Sequence, residues 1–194
     1  MLNEIILASK SEVRKQILIK HGINCRVEPS NVDEEPVKQS LIKEGATPEI
    51  ISKNLAELKA NKVSLKKKDE IVLGADSVID LEGKIISKPE NREEALEILK
   101  KLNGKHHFLI SSVCLSKNGR MIWHYSDKAK LTMKNFEILE LTDYLAKVTD
   151  KALYAYNVYQ IESVGKDLFL KIEGNENTIM GLPIEKIKEY LENL

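Results

Sequence analysis

Apolar residues run unbroken from Ile5 to Ala8 and stop at two serines spaced two apart, Ser9 and Ser11. The period then changes: Val13, Ile17 and Leu18 recur at helical spacing, and Gly22 supplies the stop. The pattern predicts a strand over Leu2–Ala8, a short polar loop, and a helix from Ser11 to His21. Residues 23–34 read as extended chain and then as a loop ending in Val32-Asp33-Glu34. Pro36 at a first helical position and Gly45 at the far end bracket a short helix. Thr47-Pro48 opens a longer one, with Ile50, Ile51, Leu55, Leu58 and Val63 on one side, running to about Lys66. Ile71–Ile79 is a near-continuous apolar run, the pattern of a buried strand, with one carboxylate inside it, Asp76. A turn over Asp80–Gly83 and a short return strand at Lys84–Ser87 follow. A helix is predicted over Glu90–Lys101, then strands over His107–Leu115 and Met121–Thr132 joined by the hairpin signal Asn118-Gly119. A helix over Leu139–Lys147, a strand over Tyr156–Ile161, and a last helix opened by Pro183 complete the order. Alternating strands and helices place the chain in the α/β class, and the hairpin makes its sheet mixed.

The 194 residues suffice for a single domain with one or two lobes. Thirty basic and thirty acidic residues cancel, so no global charge draws the chain to nucleic acid or to an anionic membrane. Any anion site must be local. Cys25 and Cys114 have no metal-type spacing and read as small hydrophobes in a reducing compartment. Glu4 interrupts the apolar start, no secretory cleavage pattern follows, and no apolar run approaches a membrane span. A cytoplasmic protein is the expectation.

The junction at residues 8–14 carries candidate chemistry. A strand, a polar loop and a helix N-terminus present free backbone N–H groups and the positive end of a helix dipole. Ser9, Ser11 and Arg14 can extend that cradle toward a phosphate; equally, Ser11 can serve as a helix N-cap. A carboxylate in an apolar strand, as at Asp76, must be paired, metal-bound or protonated. It reads either as a general base or metal ligand, or as a loop cap or the partner of a buried lysine. The small neighbours Gly74 and Ala75 would admit a ligand close to the backbone. Pro89 holds Lys88 on extended chain. The acidic pair Asp33-Glu34 can bind a divalent ion or stay solvated, and Lys59, on an amphipathic helix, reads as exposed. The four histidines show neither metal spacing nor a Ser-His-Asp order.

Seven motifs occur together in one order: Leu-Ala-Ser-Lys-Ser-x-x-Arg at 7–14, Val-Asp-Glu at 32–34, Leu-Ala-Glu-Leu-Lys-Ala at 55–60, Gly-Ala-Asp-Ser at 74–77, Ser-Lys-Pro at 87–89, Leu-Asn-Gly-Lys-His-His at 102–107, and Ile-Glu-Gly-Asn with Gly-Leu-Pro at 172–175 and 181–183. With them the chain resembles the Maf (septum-formation) nucleotide pyrophosphatases over essentially its whole length. The resemblance implies a single Maf-like domain over 1–194, of the Maf/ITPase-like α/β type: a mixed central sheet flanked by helices, in two lobes with a cleft. It implies hydrolysis of nucleoside triphosphates, modified ones included, to monophosphate and pyrophosphate, with a divalent metal (Mg2+ or Mn2+) and often as a homodimer. Carried over by position, Asp76 is the catalytic proton acceptor, Lys88 and Glu34 join it in catalysis, and Asp76 and Glu34 hold the metal. Ser9, Ser11, Arg14, Lys59 and Lys88 bind phosphate. No nucleic-acid or membrane partner is implied.

The chain departs from the family at its loop. The commonest form there is Ser-x-Ser-Pro-Arg-Arg, and Glu12 and Val13 replace the proline and first arginine, leaving Arg14. Three specificity positions correspond to Val13, Ser77 and Glu162. The branch acting on dTTP and UTP carries arginine, threonine and glutamine there; the branch acting on 7-methyl-GTP carries an aromatic residue, threonine and glutamate. Glu162 matches the second branch and Val13 neither, while Ser163 replaces a usual glycine. The altered loop motivates an alternative, a nucleotide-binding regulator of cell division with weak or no catalysis.

Overall fold

The structure is a computed structural model and describes residues 4–150, 152, 153, 157–161 and 163–194. The strands are β1 (Ile5–Leu7), β2 (Cys25–Val27), β3 (Ile71–Leu81), β4 (Lys84–Ile86), β5 (His106–Lys117), β6 (Arg120–Met133) and β7 (Phe169–Glu173). The helices are α1 (Glu12–Lys20), α2 (Glu34–Lys43), α3 (Pro48–Ser64), α4 (Arg92–Leu102), α5 (Ile138–Lys147), the single turn α6 (Glu176–Ile179) and α7 (Ile184–Glu192), with a 3-10 segment at Val164–Leu168. Strands pair in the order β2-β1-β3-β5-β6-β7, with β4 on β3. β1 is parallel to both β2 and β3, whereas β3–β4 and β6–β7 are antiparallel, so the sheet is mixed as the hairpin signal required.

The chain divides into two compact units, Met1–Val78 with Ile110–Lys128 and Asn175–Leu194, and Ile79–Leu109 with Ala129–Gly174. In the first unit the period-two alternation of strands builds three layers. Ile5, Leu7, Leu73, Ala75, Val113 and Leu115 bury one sheet face with residues of α1 and α7. Ile6, Val72 and Cys114 bury the other with Ala56, Ala60 and Val63 of α3. Gly74 shares this second face, and α3 lies so close that a Cβ on Gly74 would stand 2.2 Å from the Ala56 carbonyl oxygen. The space left by Gly74 is therefore taken by a helix, not by a ligand as its small size suggested.

Local signals account for most boundaries. Ser11, Thr47 and Asn91 cap α1, α3 and α4 with their side chains, and Asn118 and Gly119 turn the β5–β6 hairpin with positive φ. Two expectations fail. Helix α2 starts at Glu34, not Pro36, with Asp33 at its N-cap. Proline fits inside a first turn, whose N–H groups lack intrahelical partners anyway. The strand expected over Tyr156–Ile161 is absent from its described part, 157–161, where Asn157 takes φ +74° and leaves the extended region. The residue pattern does not predict β7, whose five residues show no clear alternation.

In the second unit His107 is 1% exposed, packs against Tyr159 and Phe169, and meets the Tyr159 hydroxyl at 2.7 Å through Nε2. Its Nδ1 has no partner among the described residues. Burial, helped by His106, lowers the His107 pKa from 6.5 to about 4. Below pH 6.5 the unfolded chain gains a proton that the folded chain refuses. The stability this residue contributes is present above pH 6.5 and is lost as pH falls through about 4. Denaturant titrations between pH 7.5 and 4 are expected to show wild type losing about 3 kcal/mol more than His107→Gln. Equal losses would show that His107 does not report the linkage.

Candidate active site

Ala8, the first residue after β1, donates its N–H to the Leu73 carbonyl at 2.8 Å, which sets the start of the polar loop against β3. Ser9 Oγ accepts the Ser11 N–H at 3.2 Å, and Ser11 Oγ accepts the Arg14 N–H at 3.3 Å. Ser11 is thus the N-cap of α1. From the first turn of α1, Arg14 reaches across the sheet end. Its Nη1 donates to Ala75 O at 2.9 Å and Ser9 Oγ at 3.4 Å, its Nη2 to Ser77 Oγ at 3.1 Å, and its Nε to Gly181 O at 3.0 Å. Four of the five guanidinium N–H groups are therefore spent on the protein. Burial pulls the Arg14 pKa down from its ordinary value, and the charges of Asp76 and Glu34 oppose the drop.

Strand alternation separates two neighbours on β3. Ser77 lies toward Arg14 of α1, and Asp76 lies on the opposite face, toward α3. There Lys59, itself buried, donates to Asp76 Oδ1 at 2.8 Å and pairs with Glu34 at 3.0 Å. Ser52 Oγ donates to the Asp76 carbonyl at 3.1 Å and ties the strand to the same helix. Asp76 Oδ2 is buried with no partner among the described residues. Burial pushes the Asp76 carboxyl above the usual carboxylate range; Lys59 opposes this by charge and hydrogen bond, Glu34 adds to it, and Arg14 opposes it. A buried carboxylate with one oxygen anchored and the other unengaged can accept a proton or complete the shell of a cation.

The first unit brings Ser9, Ser11, Arg14, Glu34, Lys59, Asp76 and Ser77 together. Lys88 belongs to the second unit and is exposed on the segment between β4 and α4. Lys59 is buried rather than exposed on its amphipathic helix, because a carboxylate sits on the face it packs against. Glu34 opens α2 instead of ending a loop. No group of three or more His, Cys, Asp or Glu side chains able to hold a metal ion occurs among the described residues. Two carboxylates, one of them with an unengaged buried oxygen, nevertheless fit magnesium, which commonly takes one or two carboxylates and completes its shell with water and substrate phosphates.

The model of the family described as "Maf-like protein" matches residues 4–194. The chain belongs to the Maf family. Among relatives, the nucleoside triphosphate pyrophosphatase of Pelagibacter ubique (strain HTCC1062) is 72% identical over 192 residues, 99% of this chain and 98% of that protein. The 7-methyl-GTP pyrophosphatase of Brucella abortus biovar 1 (strain 9-941) is 38% identical over 184 residues, 95% of this chain and 92% of its own. Among solved structures, a HAM1 protein from Coxiella burnetii is similar at TM-score 0.52 and 14% identity over 100% of both chains, a likeness of fold alone.

Within this Maf chain, Val13 packs against the apolar core under α1. The Ser77 hydroxyl is engaged by Arg14 and lies 2.8 Å from Ser111 Oγ. Glu162, the third position that the resemblance associates with base choice, lies outside the described residues. Motif reasoning missed Ser52, Ser111 and Thr178. Ser111 carried the same signal as Asp76, a polar residue inside a buried strand.

Proposed function

We infer that this Maf chain is a nucleoside triphosphate pyrophosphatase, cleaving (d)NTPs to the monophosphate and pyrophosphate. The observation that carries the reading at residue level is Asp76, buried, anchored by Lys59 through one oxygen and unengaged at the other. Water attacks the α-phosphorus, its proton passes to Asp76, and the bond from the α-phosphorus to the bridging oxygen breaks to release pyrophosphate. Lys59 holds Asp76 in place and offsets charge on the polyphosphate. The loop of Ser9 and Ser11 and the N-terminus of α1 receive phosphate oxygens, with Arg14 fixing the loop. Lys88 is assigned to phosphate binding on the Ser-Lys-Pro motif alone. Glu34 and Asp76 are the residues that would hold a divalent cation, which when bound supplies charge neutralisation to the polyphosphate.

No helix among the described residues is long and apolar enough to cross a membrane. We place the enzyme in the cytoplasm as a homodimer acting on free nucleotides, without nucleic-acid or membrane partners. Base choice is assigned to Val13, Ser77 and Glu162. A glutamate accepts hydrogen bonds from a guanine-type edge where a glutamine both donates and accepts. The test is a panel of canonical and methylated nucleoside triphosphates assayed for pyrophosphate with magnesium, with manganese and with chelator. Metal-dependent pyrophosphate release is expected, and 7-methyl-GTP as the preferred substrate. Preference for dTTP or UTP overturns the Glu162 assignment; nucleotide binding without turnover favours the regulator.

A further inference from the structure

Beyond the loop and the base, the first unit holds a closed ring of hydrogen bonds that links Arg14, Ser77 and Gly181, each inside a quoted motif, to Ser111 and Thr178, which lie in none. Ser111 Oγ donates to the Thr178 carbonyl at 2.8 Å. A serine has one hydroxyl proton, so at the 2.8 Å Ser77–Ser111 contact Ser77 is the donor. Ser77 Oγ in turn accepts from Arg14 Nη2. On the other side Arg14 Nε donates to Gly181 O, and the Gly181 N–H donates to the same Thr178 carbonyl at 3.0 Å, which closes the circuit. Every donor direction is thereby set, and such chains strengthen cooperatively. Ser111 and Thr178 are fully buried. The Thr178 hydroxyl donates to Asp127 Oδ2 at 2.6 Å, and Asp127 is held by the Lys128 N–H at 2.9 Å through Oδ1.

Gly181 is part of the device. Its φ is +93°, and a Cβ there would stand 3.1 Å from Ser77 Oγ and 3.2 Å from Arg14 Nε. Glycine alone lets the backbone lie this close to the guanidinium while holding that conformation.

We propose that Ser111, Thr178 and Asp127 are positioning residues of the pyrophosphatase site: they hold Arg14, and through it the Ser9 loop, in register with the strand that carries Asp76. The proposal rests on the pyrophosphatase reading. Its physical basis is that Arg14 bonds both Ser9 of the loop and Ala75, the neighbour of Asp76. Freeing the guanidinium on the Ser77 side uncouples phosphate from base. A misplacement of about 1 Å between reacting groups costs on the order of 100-fold in rate.

The experiment measures kcat, KM and Arg14 side-chain exchange in Ser111→Ala, Thr178→Val, Asp127→Ala and Thr178→Ser. Ser111→Ala, Thr178→Val and Asp127→Ala are expected to lose about 10- to 100-fold in kcat, with Ser111→Ala the most affected. KM should change by less than about threefold, since the lost interaction acts on alignment rather than on uniform binding. Thr178→Ser keeps the hydroxyl and is expected to restore both kcat and exchange protection. By NMR, the Arg14 Nε–H is expected to exchange slowly in wild type and fast in Ser111→Ala and Thr178→Val. Unchanged protection in those variants overturns the ring whatever happens to kcat, and unchanged kcat in folded variants overturns the positioning role. Should Ser111→Ala fail to fold, Asp127→Ala, at a half-buried position, becomes the deciding variant. Absence of nucleotide turnover in wild type counts against the pyrophosphatase reading and overturns the positioning role with it, while the exchange measurement still decides whether the ring exists.

Discussion

Asp76→Asn is expected to lower kcat/KM by about 10³-fold, the middle of the range for removal of a general base, without unfolding the protein. The substitution is nearly isosteric. The amide oxygen can still accept from Lys59, and Lys59 keeps Glu34 as its partner. What disappears is the capacity to take a proton. The fold should hold, because burial already disfavours the charged carboxylate, which offsets the loss of its charge to Lys59. Pyrophosphate release and thermal melting on the same preparation separate the two effects. A folded variant within tenfold of wild type would move the base to another residue and remove the central element of the mechanism.

The second large effect falls on stability. Gly74→Ala places a Cβ 2.2 Å from the Ala56 carbonyl oxygen, 2.7 Å from the Ala60 nitrogen and 2.9 Å from the Ala60 Cβ, with Ala56 and Ala60 both on α3. Two of those atoms are backbone in the middle of a 17-residue helix, so no side-chain rotation relieves the clash. Either α3 withdraws or β3 shifts, and overpacking of this kind costs about 2–3 kcal/mol. The melting temperature should fall by about 5–10 °C. Activity should fall as well, because α3 carries both Lys59 and Ser52, the two side chains bonded to Asp76. Gly83→Ala is the control: Gly83 has φ +80° with nothing within 4 Å, so only backbone strain of about 1 kcal/mol applies. A Gly74→Ala protein melting with wild type would mean that strand and helix do not approach each other so closely.

The local code of this chain is strong. Capping residues, prolines at helix starts, the Asn-Gly hairpin and the switch between periods two and 3.6 place most strands and helices within a few residues of where they lie. The failures at Pro36 and at 157–161 come from positions where a local preference has two solutions. Proline suits the third position of a helix as well as the first, and extended-looking residues can be broken by one asparagine with positive φ.

Candidate chemistry was legible wherever a polar group stood in a place that burial makes costly. Asp76 was visible for that reason, and of its two readings the structure shows the partner of a buried lysine: Lys59 anchors one oxygen and leaves the other unengaged, the oxygen to which we assign the proton in the proposed mechanism. The identity of that lysine was invisible to periodicity, since nothing in an amphipathic helix marks which charged residue turns inward. The resemblance named Lys59, but as a ligand for phosphate.

By itself the amino-acid sequence determined the elements, the family and the presence of a carboxylate that must be satisfied. Tertiary structure alone decided who satisfies whom: Asp76 facing α3, Ser77 facing Arg14, and Arg14 meeting Gly181 across 167 residues. The reason is physical. Propensity and capping act over one or two turns of chain, whereas these partners meet only because strand pairing and close packing bring distant segments to the same sheet end.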